Sequence, residues 1–527
     1  QPVSISVPMD ADGGVPPVQI AFDRVSIEVE LKSKKTLKIL DEVSGIFGTK
    51  EVIAVMGPSG SGKTTMLNAL TGVTLPASGV ITVNGQPYDK RAMRRVQALV
   101  PQDDLLTASL TVREALMEAL TFKTAPSVDA AARQARIDQL LDQFNLKTCA
   151  DVEIGHPEGR KGISGGQKRR LSVALELCGE PSVLYLDEPT SGLDAVSTMT
   201  LVRLMKQLAT DGRTVIATIH QPSAAAFFTF DRLCLLHRGV VAYQGPVAVG
   251  VQPVAWFAAA GFQCPPLDNP ADFFFEVLVE HSEAIVSKSR TKGVAEDQQR
   301  AAEPSLAPLP NTSDSNAYPS TWITQVKTHF KRAAIVLRRD PLLARLRVVS
   351  SVGIGLVSGT LWYKISDDIT GINDIISLLL FSMIFLAIVN ALPVVISVLP
   401  ELAVVHKEAR NNWYAPSSYL PAKLIIETPL LVIPPLLFLS IMGNMTTLTW
   451  EHATPSGDAD GGADASRFFE LYLAVLLVVV SAHAWALFLC AIAPTVDVAI
   501  LMAPGSIMPM VLLSGFFKNQ QDMTWVF

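Results

Sequence analysis

A glycine-rich segment near the N-terminal end of the chain has the composition of a phosphate-binding loop. It reads Gly57-Pro58-Ser59-Gly60-Ser61-Gly62-Lys63-Thr64-Thr65. It fits the pattern G-x-x-x-x-G-K-[ST] and stands between an apolar run, Val52–Met56, and a helical pattern that ends near Leu70. Glycines let backbone N–H groups curl around phosphates, and a helix start adds favourable partial charge. We expect Lys63 to reach the β- and γ-phosphates of a nucleotide and the Thr64 hydroxyl to bind Mg²⁺.

Two carboxylates follow a second apolar run, Val183–Leu186, as Asp187 and Glu188. In parallel sheets ligands bind at the carboxyl ends of the strands. We predict that Asp187 holds Mg²⁺, directly or through water, and that Glu188 polarises the attacking water. An apolar run ending in Asp-Glu is often only a strand end. Together with the phosphate loop, however, it indicates a nucleotide-hydrolysing site.

Both motifs lie in residues 20–280, where short apolar runs alternate with helical patterns. This alternation predicts an α/β domain with a mostly parallel sheet, in which Val52–Met56, Val183–Leu186 and Thr214–Ile219 are strands. Residues 104–150 are predicted to be helical. The Pro-, Gly- and Asp-rich residues 1–19 are predicted to form a disordered tail.

The character of the chain changes after residue 280. Residues 281–320 are polar and rich in Pro and Ser, which predicts a flexible linker. Residues 321–347 carry seven Lys and Arg residues among apolar ones. This pattern favours a basic amphipathic helix at a membrane surface, the alternative being an ordinary soluble helix.

Residues 348–527 are dominated by long apolar stretches and are predicted to form an all-α polytopic transmembrane domain. Each stretch can cross a hydrocarbon core about 30 Å thick, whereas burying all of them in a soluble protein would need an improbably large core. The five predicted spans lie near 348–365, 375–399, 419–442, 469–493 and 498–517.

The distribution of charge predicts the orientation of the chain. Lys and Arg are concentrated before the first predicted span and between the second and third, while Asp and Glu predominate in the first and third hairpin loops. Because cytosolic loops carry the excess of Lys and Arg, we expect the N-terminal domain to be cytosolic. The net charge of −6 gives no indication of a nucleic-acid partner, and the five cysteines form no CxxC pair typical of a metal site.

Further motifs narrow the class of nucleotidase. Ser164-Gly165-Gly166-Gln167 precedes an Arg- and Leu-rich helical pattern and resembles the signature of ATP-binding cassette proteins. Three other elements resemble the family's Q-loop, D-loop and switch histidine, in the family's order and spacing: Gln102, Ser191-Gly192-Leu193-Asp194 and His220. The resemblance covers nearly the whole chain. It implies a P-loop domain with a RecA-like core, an antiparallel β subdomain and a helical subdomain.

The resemblance also implies roles for these residues. Ser164, Gly165 and Gly166, with Gln167, would contact the γ-phosphate of ATP held by a partner cassette. Gln102 would sense the γ-phosphate and approach the Mg²⁺, and His220 would hold the γ-phosphate and the attacking water. Because the chain has one cassette, the resemblance implies that it forms a homodimer or a heterodimer with a related half-transporter.

The subfamily follows from domain order and three segments. The cassette precedes the membrane part, and Ile219–Ser223, Asn269–Phe273 and Glu401–Pro429 resemble the G subfamily, the White-type half-transporters. This resemblance implies that the chain is a multi-pass membrane protein, surrounded by membrane lipids, that exports lipids, sterols or other amphipathic compounds at the expense of ATP. The plasma membrane is the favoured location. Two alternatives are a non-transporting ATPase without spans, and a truncated, non-transporting or regulatory partner of a full-length half-transporter.

Some positions depart from the subfamily. Gln167 stands where Glu is usual, and we expect activity to survive. Ile27 stands near the position of an aromatic residue that often stacks on adenine, so base affinity is expected to be weak or to come from elsewhere. The chain stops after the fifth predicted span, so the sixth is missing, as in a truncated product or incomplete sequence. Glu427, in the third span, is a candidate functional acid, with a packing or surface role equally open.

Overall fold

The computed structural model divides into two compact units. The first comprises residues 1–325 together with 407–415, and the second comprises 326–406 and 416–527. Residues 1–14 of the predicted tail over 1–19 and nearly all of the predicted linker over 281–320 lie outside the described residues, and for 369–370 and 507–512 only the backbone is described. The structure describes residues 15–30, 36–155, 162–247, 252–266, 268–281, 285, 306–307, 309, 318–365, 369–446, 448 and 465–512.

Two sheets form the framework of the first unit. A six-stranded sheet has the order β10-β9-β3-β8-β7-β6, in which all strands but β10 are parallel, and a four-stranded antiparallel sheet has the order β2-β1-β4-β5. The strands are β1 Ile20–Glu30, β2 Thr36–Phe47, β3 Val52–Met56, β4 Ser78–Val83, β5 Gln86–Pro87, β6 Gln97–Val100, β7 Val183–Leu186, β8 Thr214–Ile219, β9 Arg232–His237 and β10 Val240–Pro246.

The predicted α/β cassette is confirmed, and the three predicted strands, now β3, β7 and β8, have the predicted bounds. Every residue of these three strands is buried. Strands of a parallel sheet are covered on both faces by helices, so they consist of continuous apolar runs rather than alternating ones. That is why a largely apolar run predicts such strands, although β8 also contains Thr214 and Thr218.

Helices cover the parallel sheet and complete the first unit. The region 104–150 is less uniformly helical than predicted: its first α-helix begins only at Val112, after the cap Thr111, whose hydroxyl accepts from the Glu114 N–H while the Glu114 carboxylate accepts from the Thr111 N–H. The helices are α1 Lys63–Leu70, α2 Lys90–Val96, α3 Val112–Lys123, α4 Ala130–Gln143, α5 Gly165–Leu177, α6 Ala195–Thr210, α7 Ala224–Phe227, α8 Gln252–Ala259 and α9 Pro270–Glu280, with a 3₁₀ turn at Lys147–Cys149.

A buried ion pair joins α3 to α5. The ammonium of Lys123 donates to the carboxylate of Glu176 at 2.7 Å and to the Leu175 carbonyl at 3.0 Å. The indole N–H of Trp413 donates to the same Glu176 oxygen at 3.1 Å, and the Lys123 ammonium lies 4.4 Å from the Trp413 ring centre. Tyr414 packs on Phe122 with ring centres 4.7 Å apart. These contacts hold the segment Lys407–Ala415 within the first unit.

The second unit contains helices and no strands among its described residues. The predicted single helix over 321–347 is divided, because α10 ends at Arg339 and α11 begins at Leu342. Pro341 lies at the break, where it lacks an N–H donor and disfavours helical geometry at Asp340. The helices are α10 Trp322–Arg339, α11 Leu342–Leu361, α12 Ile369–Arg410, α13 Tyr419–Thr446, α14 Ala465–Ile492 and α15 Val496–Leu512.

Four helices in the described part of the chain are long and apolar enough to cross a membrane. They are Leu342–Leu361, Gly371–Arg410, Pro416–Thr446 and Ala465–Ile492, and Val496–Ser506 is a shorter apolar helix. The fifth predicted span, near 498–517, continues beyond the described residues and stays a prediction. The loop predicted between the second and third spans is shorter than expected, because α12 continues as a helix to Arg410.

We expect that Lys123→Met destabilises the cassette. Glu176 is fully buried, and removing one partner of a buried ion pair leaves an uncompensated charge that costs about 3 kcal/mol or more. Differential scanning calorimetry of the solubilised chain should show the cassette transition at a temperature several degrees lower. The control is the double variant Lys123→Met/Glu176→Leu, which replaces the pair by apolar groups and should recover most of the loss. An unchanged transition in the single variant would contradict this account.

Candidate functional site

The predicted motifs lie together because their strands are neighbours. In the order β3-β8-β7-β6, Gly57 follows β3, His220 follows β8 and Asp187 follows β7, while Gln102 lies two residues beyond β6. Met56 pairs with Ile219, and Leu186 pairs with Val100, so the strands end at similar heights. Parallel strands present their carboxyl ends at one edge of the sheet, and this edge carries the candidate site.

The loop at residues 57–62 requires glycine at defined positions. Gly57 has φ 155°, and a Cβ atom there would lie 2.1 Å from the Leu236 carbonyl oxygen. Gly62, with φ 102°, occupies the left-handed region directly before α1. The Lys63 ammonium folds over this loop and donates to the carbonyls of Gly57 at 2.8 Å and Pro58 at 3.1 Å. Burial lowers the pKa of Lys63, while nearby Glu188 and Asp187 act in the opposite direction.

Oxygen atoms converge beside the first turn of α1. Asp187 is 8% exposed, and its carboxylate accepts from the Thr64 hydroxyl at 3.2 Å and from the Thr218 hydroxyl at 2.7 Å. A hydroxyl and a carboxylate side by side are the hard oxygen ligands that Mg²⁺ prefers, so the donor set fits this ion. Thr218, on β8, was not predicted from the sequence. Only its position two residues before His220 could have drawn attention to it.

Glu188 has an unusual backbone conformation. Its φ is 42°, although it is not a glycine and precedes Pro189, a context that ordinarily favours extended geometry. Its N–H donates to the Thr218 hydroxyl at 2.7 Å, and its carboxylate accepts from the Gln102 amide at 3.0 Å. Conformations of this kind persist where the surroundings hold them, and they cluster at active sites.

Arg169, in α5, supplies much of that support. Its guanidinium donates to the Asp187 carbonyl at 2.7 Å and to the Pro189 carbonyl at 3.2 Å, the peptide oxygens on either side of Glu188. It also donates to the Pro101 carbonyl at 2.6 Å and the Gln102 carbonyl at 3.1 Å. One buried side chain therefore holds both Glu188 and the loop that carries Gln102. The sequence showed only an Arg-rich helix here, and no local pattern distinguished Arg169 from Arg170.

The remaining predicted hydrolytic residue, His220, lies at the same edge. It is exposed, and its Nε2 atom lies 3.5 Å from the Ser59 hydroxyl in the phosphate loop. Its backbone neighbour Gln221 has φ 44°, so the chain turns sharply just beyond β8. The structure thus places His220 beside the loop that is predicted to hold phosphate.

The signature and D-loop residues form a second group. Ser164 caps α5, accepting from the Gln167 N–H at 3.3 Å, while the Gln167 side chain accepts from the Ser164 N–H at 2.8 Å. A glutamine therefore completes this capping box. Asp194 caps α6 and accepts from the Ser197 hydroxyl at 2.7 Å, and a Cβ on Gly166 would lie 2.7 Å from that hydroxyl.

This second group is separate from the phosphate loop of the same chain. Within the parts of the chain that the structure describes, no hydrogen bond joins residues 164–167 to residues 57–65. Ser164 and Gly165 are exposed, as are Ser191 and Gly192 of the D-loop, whereas Leu193 is half-buried. The N-terminal end of α5 therefore presents its capping serine and a glycine to solvent.

The position expected to stack on adenine is unavailable. Ile27 is 1% exposed, and its side chain belongs to the apolar core of the antiparallel sheet. The following residues Glu28, Val29 and Glu30 are exposed. Ile27 therefore cannot stack on a base, for two reasons: its side chain is aliphatic, and it faces the core.

In the second unit, the candidate acid Glu427 is buried and paired. Its carboxylate lies 3.3 Å from the Arg347 guanidinium, 3.4 Å from the Lys423 ammonium and 3.7 Å from Nδ1 of His483. Lys423 also contacts Glu401 at 2.6 Å. Of the roles left open by the sequence, the surface-facing one is wrong, because Glu427 is 6% exposed, whereas its ion pairs fit a packing role and the functional role stays a prediction. Four helices, α11 to α14, contribute to this network.

Models of known protein families match both parts of the chain. The family described as ABC transporter matches residues 25–191, and two families described as ABC-2 type transporter match 324–527 and 220–300. A solved dimeric ATP-binding cassette bound to ADP and phosphate is 25% identical, covers 43% of this chain and 98% of its own, and has a TM-score of 0.38.

Similarity to known proteins extends over most of the chain. Protein white of Drosophila melanogaster is 34% identical over 502 residues, covering 91% of this chain and 70% of that protein. ABC transporter G family member 7 of Arabidopsis thaliana is 32% identical over 98% of this chain and 72% of its own length. The ABC transporter ATP-binding protein/permease wht-1 of Caenorhabditis elegans is 31% identical, with 92% and 74% covered. The chain belongs to the G subfamily of ATP-binding cassette transporters, the White-type half-transporters, membrane proteins in which ATP hydrolysis is coupled to transport.

Proposed function

We propose that this chain forms half of a dimeric exporter that uses ATP hydrolysis to move lipids, sterols or other amphipathic compounds across a membrane. The observation that carries the proposal is the meeting of Thr64, Asp187 and Glu188 at the carboxyl edge of the sheet, with Gln102 on the Glu188 carboxylate at 3.0 Å. This edge has the parts that phosphoryl transfer to water needs, which are a phosphate cradle, oxygen ligands and a carboxylate base.

Glu188 is the proposed base. Water attacks the γ-phosphorus, the bond from that phosphorus to the bridging oxygen of ADP breaks, and the Glu188 carboxylate takes the proton of the attacking water. His220, beside Ser59, orients the water and the γ-phosphate. The Gln102 amide donates to the Glu188 carboxylate at 3.0 Å, which places the proposed γ-phosphate sensor beside the proposed base.

Mg²⁺ would be held by Thr64 and Asp187, with Gln102 approaching it from the neighbouring loop. When bound, this ion neutralises charge on the β- and γ-phosphate oxygens. Lys63 contributes positive charge at the same phosphates. Its ammonium donates to the carbonyls of Gly57 and Pro58, so it lies over the loop that would hold the phosphates.

The second group of motifs supports a dimer. Ser164, Gly165 and the exposed D-loop lack hydrogen bonds to the phosphate loop of their own chain among the described residues, and the start of α5 favours an anion. These residues would complete the nucleotide site of a partner cassette. The partner is a second copy or a related half-transporter, and closing of the two cassettes would drive the membrane helices.

The apolar helices and the charge pattern support the rest of the proposal. Long apolar helices suit an amphipathic cargo that is recognised by shape. The excess of Lys and Arg before the first span indicates a cytosolic cassette, and we place the protein in the plasma membrane. The decisive experiment is reconstitution of the chain in lipid vesicles, with ATP-dependent transfer of labelled phospholipids and sterols measured between leaflets.

Lys63→Ala should abolish ATP turnover. The ammonium is the only cation predicted to reach the phosphates from this loop, and loss of such an electrostatic contact reduces turnover by about a hundredfold or more. Phosphate release from the reconstituted protein measures the effect. Lys90→Ala, which removes an exposed lysine from the same domain, is the control and should be neutral. Normal turnover in Lys63→Ala would remove this lysine from the site.

Glu188→Gln should bind ATP but hydrolyse it about 10² to 10⁴ times more slowly, because an amide keeps the size of the carboxylate but cannot accept the proton. Single-turnover hydrolysis and equilibrium binding separate these two effects. The same variant should stop lipid transfer in vesicles, which links transfer to hydrolysis. The exposed Glu276→Gln is the matched control. Undiminished hydrolysis in Glu188→Gln would require a different base.

Arg169→Lys should lower turnover about tenfold or more with little change in ATP affinity. A single ammonium cannot reach the oxygens on both sides of Glu188 and also those of the Gln102 loop, so the fork geometry is lost although the charge remains. Turnover and ATP binding are measured as above. Arg170→Lys, one residue further along α5, is the matched control. Equal turnover in both variants would show that the guanidinium does not hold the base.

A further inference from the structure

One edge of the parallel sheet is completed by a side chain. The strand order ends at β6, which pairs with β7 on one side only. An edge strand carries unpaired N–H and C=O groups along its open side. At Leu99 both groups are bound: Oδ1 of Asn411 accepts from the Leu99 N–H at 3.2 Å, and Nδ2 of Asn411 donates to the Leu99 carbonyl at 2.7 Å.

This pairing uses both halves of one amide. An asparagine carries one acceptor and one donor on the same planar group, which is the combination that a neighbouring strand would offer to one residue. The adjacent Asn412 makes no comparable contact, since its amide lies 3.5 Å from the Arg410 carbonyl. The pairing is therefore specific to Asn411 and does not follow from two asparagines lying nearby.

The position of Leu99 connects this contact to the hydrolytic edge. Leu99 pairs with Tyr185, and Val100 pairs with Leu186, the residue before Asp187. Three residues after Leu99 lies Gln102, whose amide donates to the Glu188 carboxylate. Leu99 therefore lies three residues from the side chain proposed to sense the γ-phosphate.

The other end of the contact follows a helix that is long and apolar enough to cross a membrane. Asn411 directly follows α12, a helix of 42 residues, and its N–H still donates to the Lys407 carbonyl at 3.1 Å. Eight residues further on, α13 begins at Tyr419. The nine residues Lys407–Ala415 are counted with the first unit, while the chain on both sides of them belongs to the second.

We propose that Asn411 is a positioning residue that joins β6 and the Gln102 loop to the ends of α12 and α13. The amide keeps the open side of β6 in register with the segment Lys407–Ala415, so that a shift of Gln102 on ATP binding moves the helix ends. The proposal deepens the proposed function and rests on it. Trp413 and Tyr414 hold the same segment by separate contacts, so loss of the Asn411 amide removes the register without releasing the segment.

The test is hydrogen–deuterium exchange of the full chain in lipid nanodiscs, with and without Mg-ATP, in a Glu188→Gln background that retains ATP. Asn411→Leu keeps the size of the side chain and removes both hydrogen bonds. Asn411→Ser removes the bidentate contact without adding bulk, and it decides the question should the leucine variant fail to fold. Asn412→Gly is the matched control, because it removes the neighbouring amide at a position whose φ of 56° suits glycine.

In Asn411→Leu the Leu99 amide should exchange about tenfold faster, since the hydrogen bond from its N–H to the Asn411 side chain is lost. Addition of ATP should still protect residues 57–65, but the ATP-dependent change that we expect at residues 399–406 and 416–423 of the parent should disappear. In an otherwise wild-type chain, Asn411→Leu should lower kcat for ATP about fivefold to tenfold and leave KM within twofold. Asn412→Gly should resemble the parent in all of these measurements.

The ATP-dependent change at 399–406 and 416–423 decides the outcome. If it persists in both Asn411→Leu and Asn411→Ser while Leu99 exchanges faster, the amide is a structural anchor alone and the proposal is wrong. Equal loss of the change in Asn412→Gly would also overturn it. A parent in which ATP protects neither the phosphate loop nor the helix ends would instead contradict the proposed ATP-driven function itself.

Discussion

The buried guanidinium of Arg169 holds the backbone on both sides of Glu188 and the carbonyls of the Gln102 loop. Glu188 has a positive φ directly before a proline, a combination that the chain does not adopt without support. The strands of the sheet bring the motifs to one edge, but strand ends alone leave the loops beyond them free to move. A single planar donor with five N–H groups fixes two of those loops at once.

Elsewhere in the first unit, too, one side chain binds two partners at once. Thr218 accepts from the Glu188 N–H and donates to the Asp187 carboxylate, so one hydroxyl sets the relation between the two acids. Lys123 and Trp413 both donate to one oxygen of Glu176, which is fully buried. Buried charges are costly unless paired, and here the pairing also attaches the segment 407–415 to α3 and α5.

The second unit uses buried charge in a different way. Glu427 is neutralised by Arg347 and Lys423, and Lys423 is in turn shared with Glu401. Apolar helices have little hydrophobic reason to choose one another in a membrane, because lipid tails are as apolar as their side chains. An ion-pair network that draws on α11, α12, α13 and α14 provides a specific reason for those helices to adopt one arrangement. The sequence placed an acid in a span, and its partners explain why it is tolerated there.

The sequence by itself determined the cassette class, the bounds of β3, β7 and β8 and the identity of the motif residues. It could do so because a phosphate loop needs glycines and a lysine at fixed spacing, and because buried parallel strands are largely apolar runs. Tertiary structure alone decided that Arg169 holds Glu188, that Thr218 joins the two acids and that Asn411 completes the edge at Leu99. Arg169 meets Pro101 across 68 positions and Asn411 meets Leu99 across 312. Contacts over such separations depend on how strands and helices pack, and no local pattern of residues encodes them.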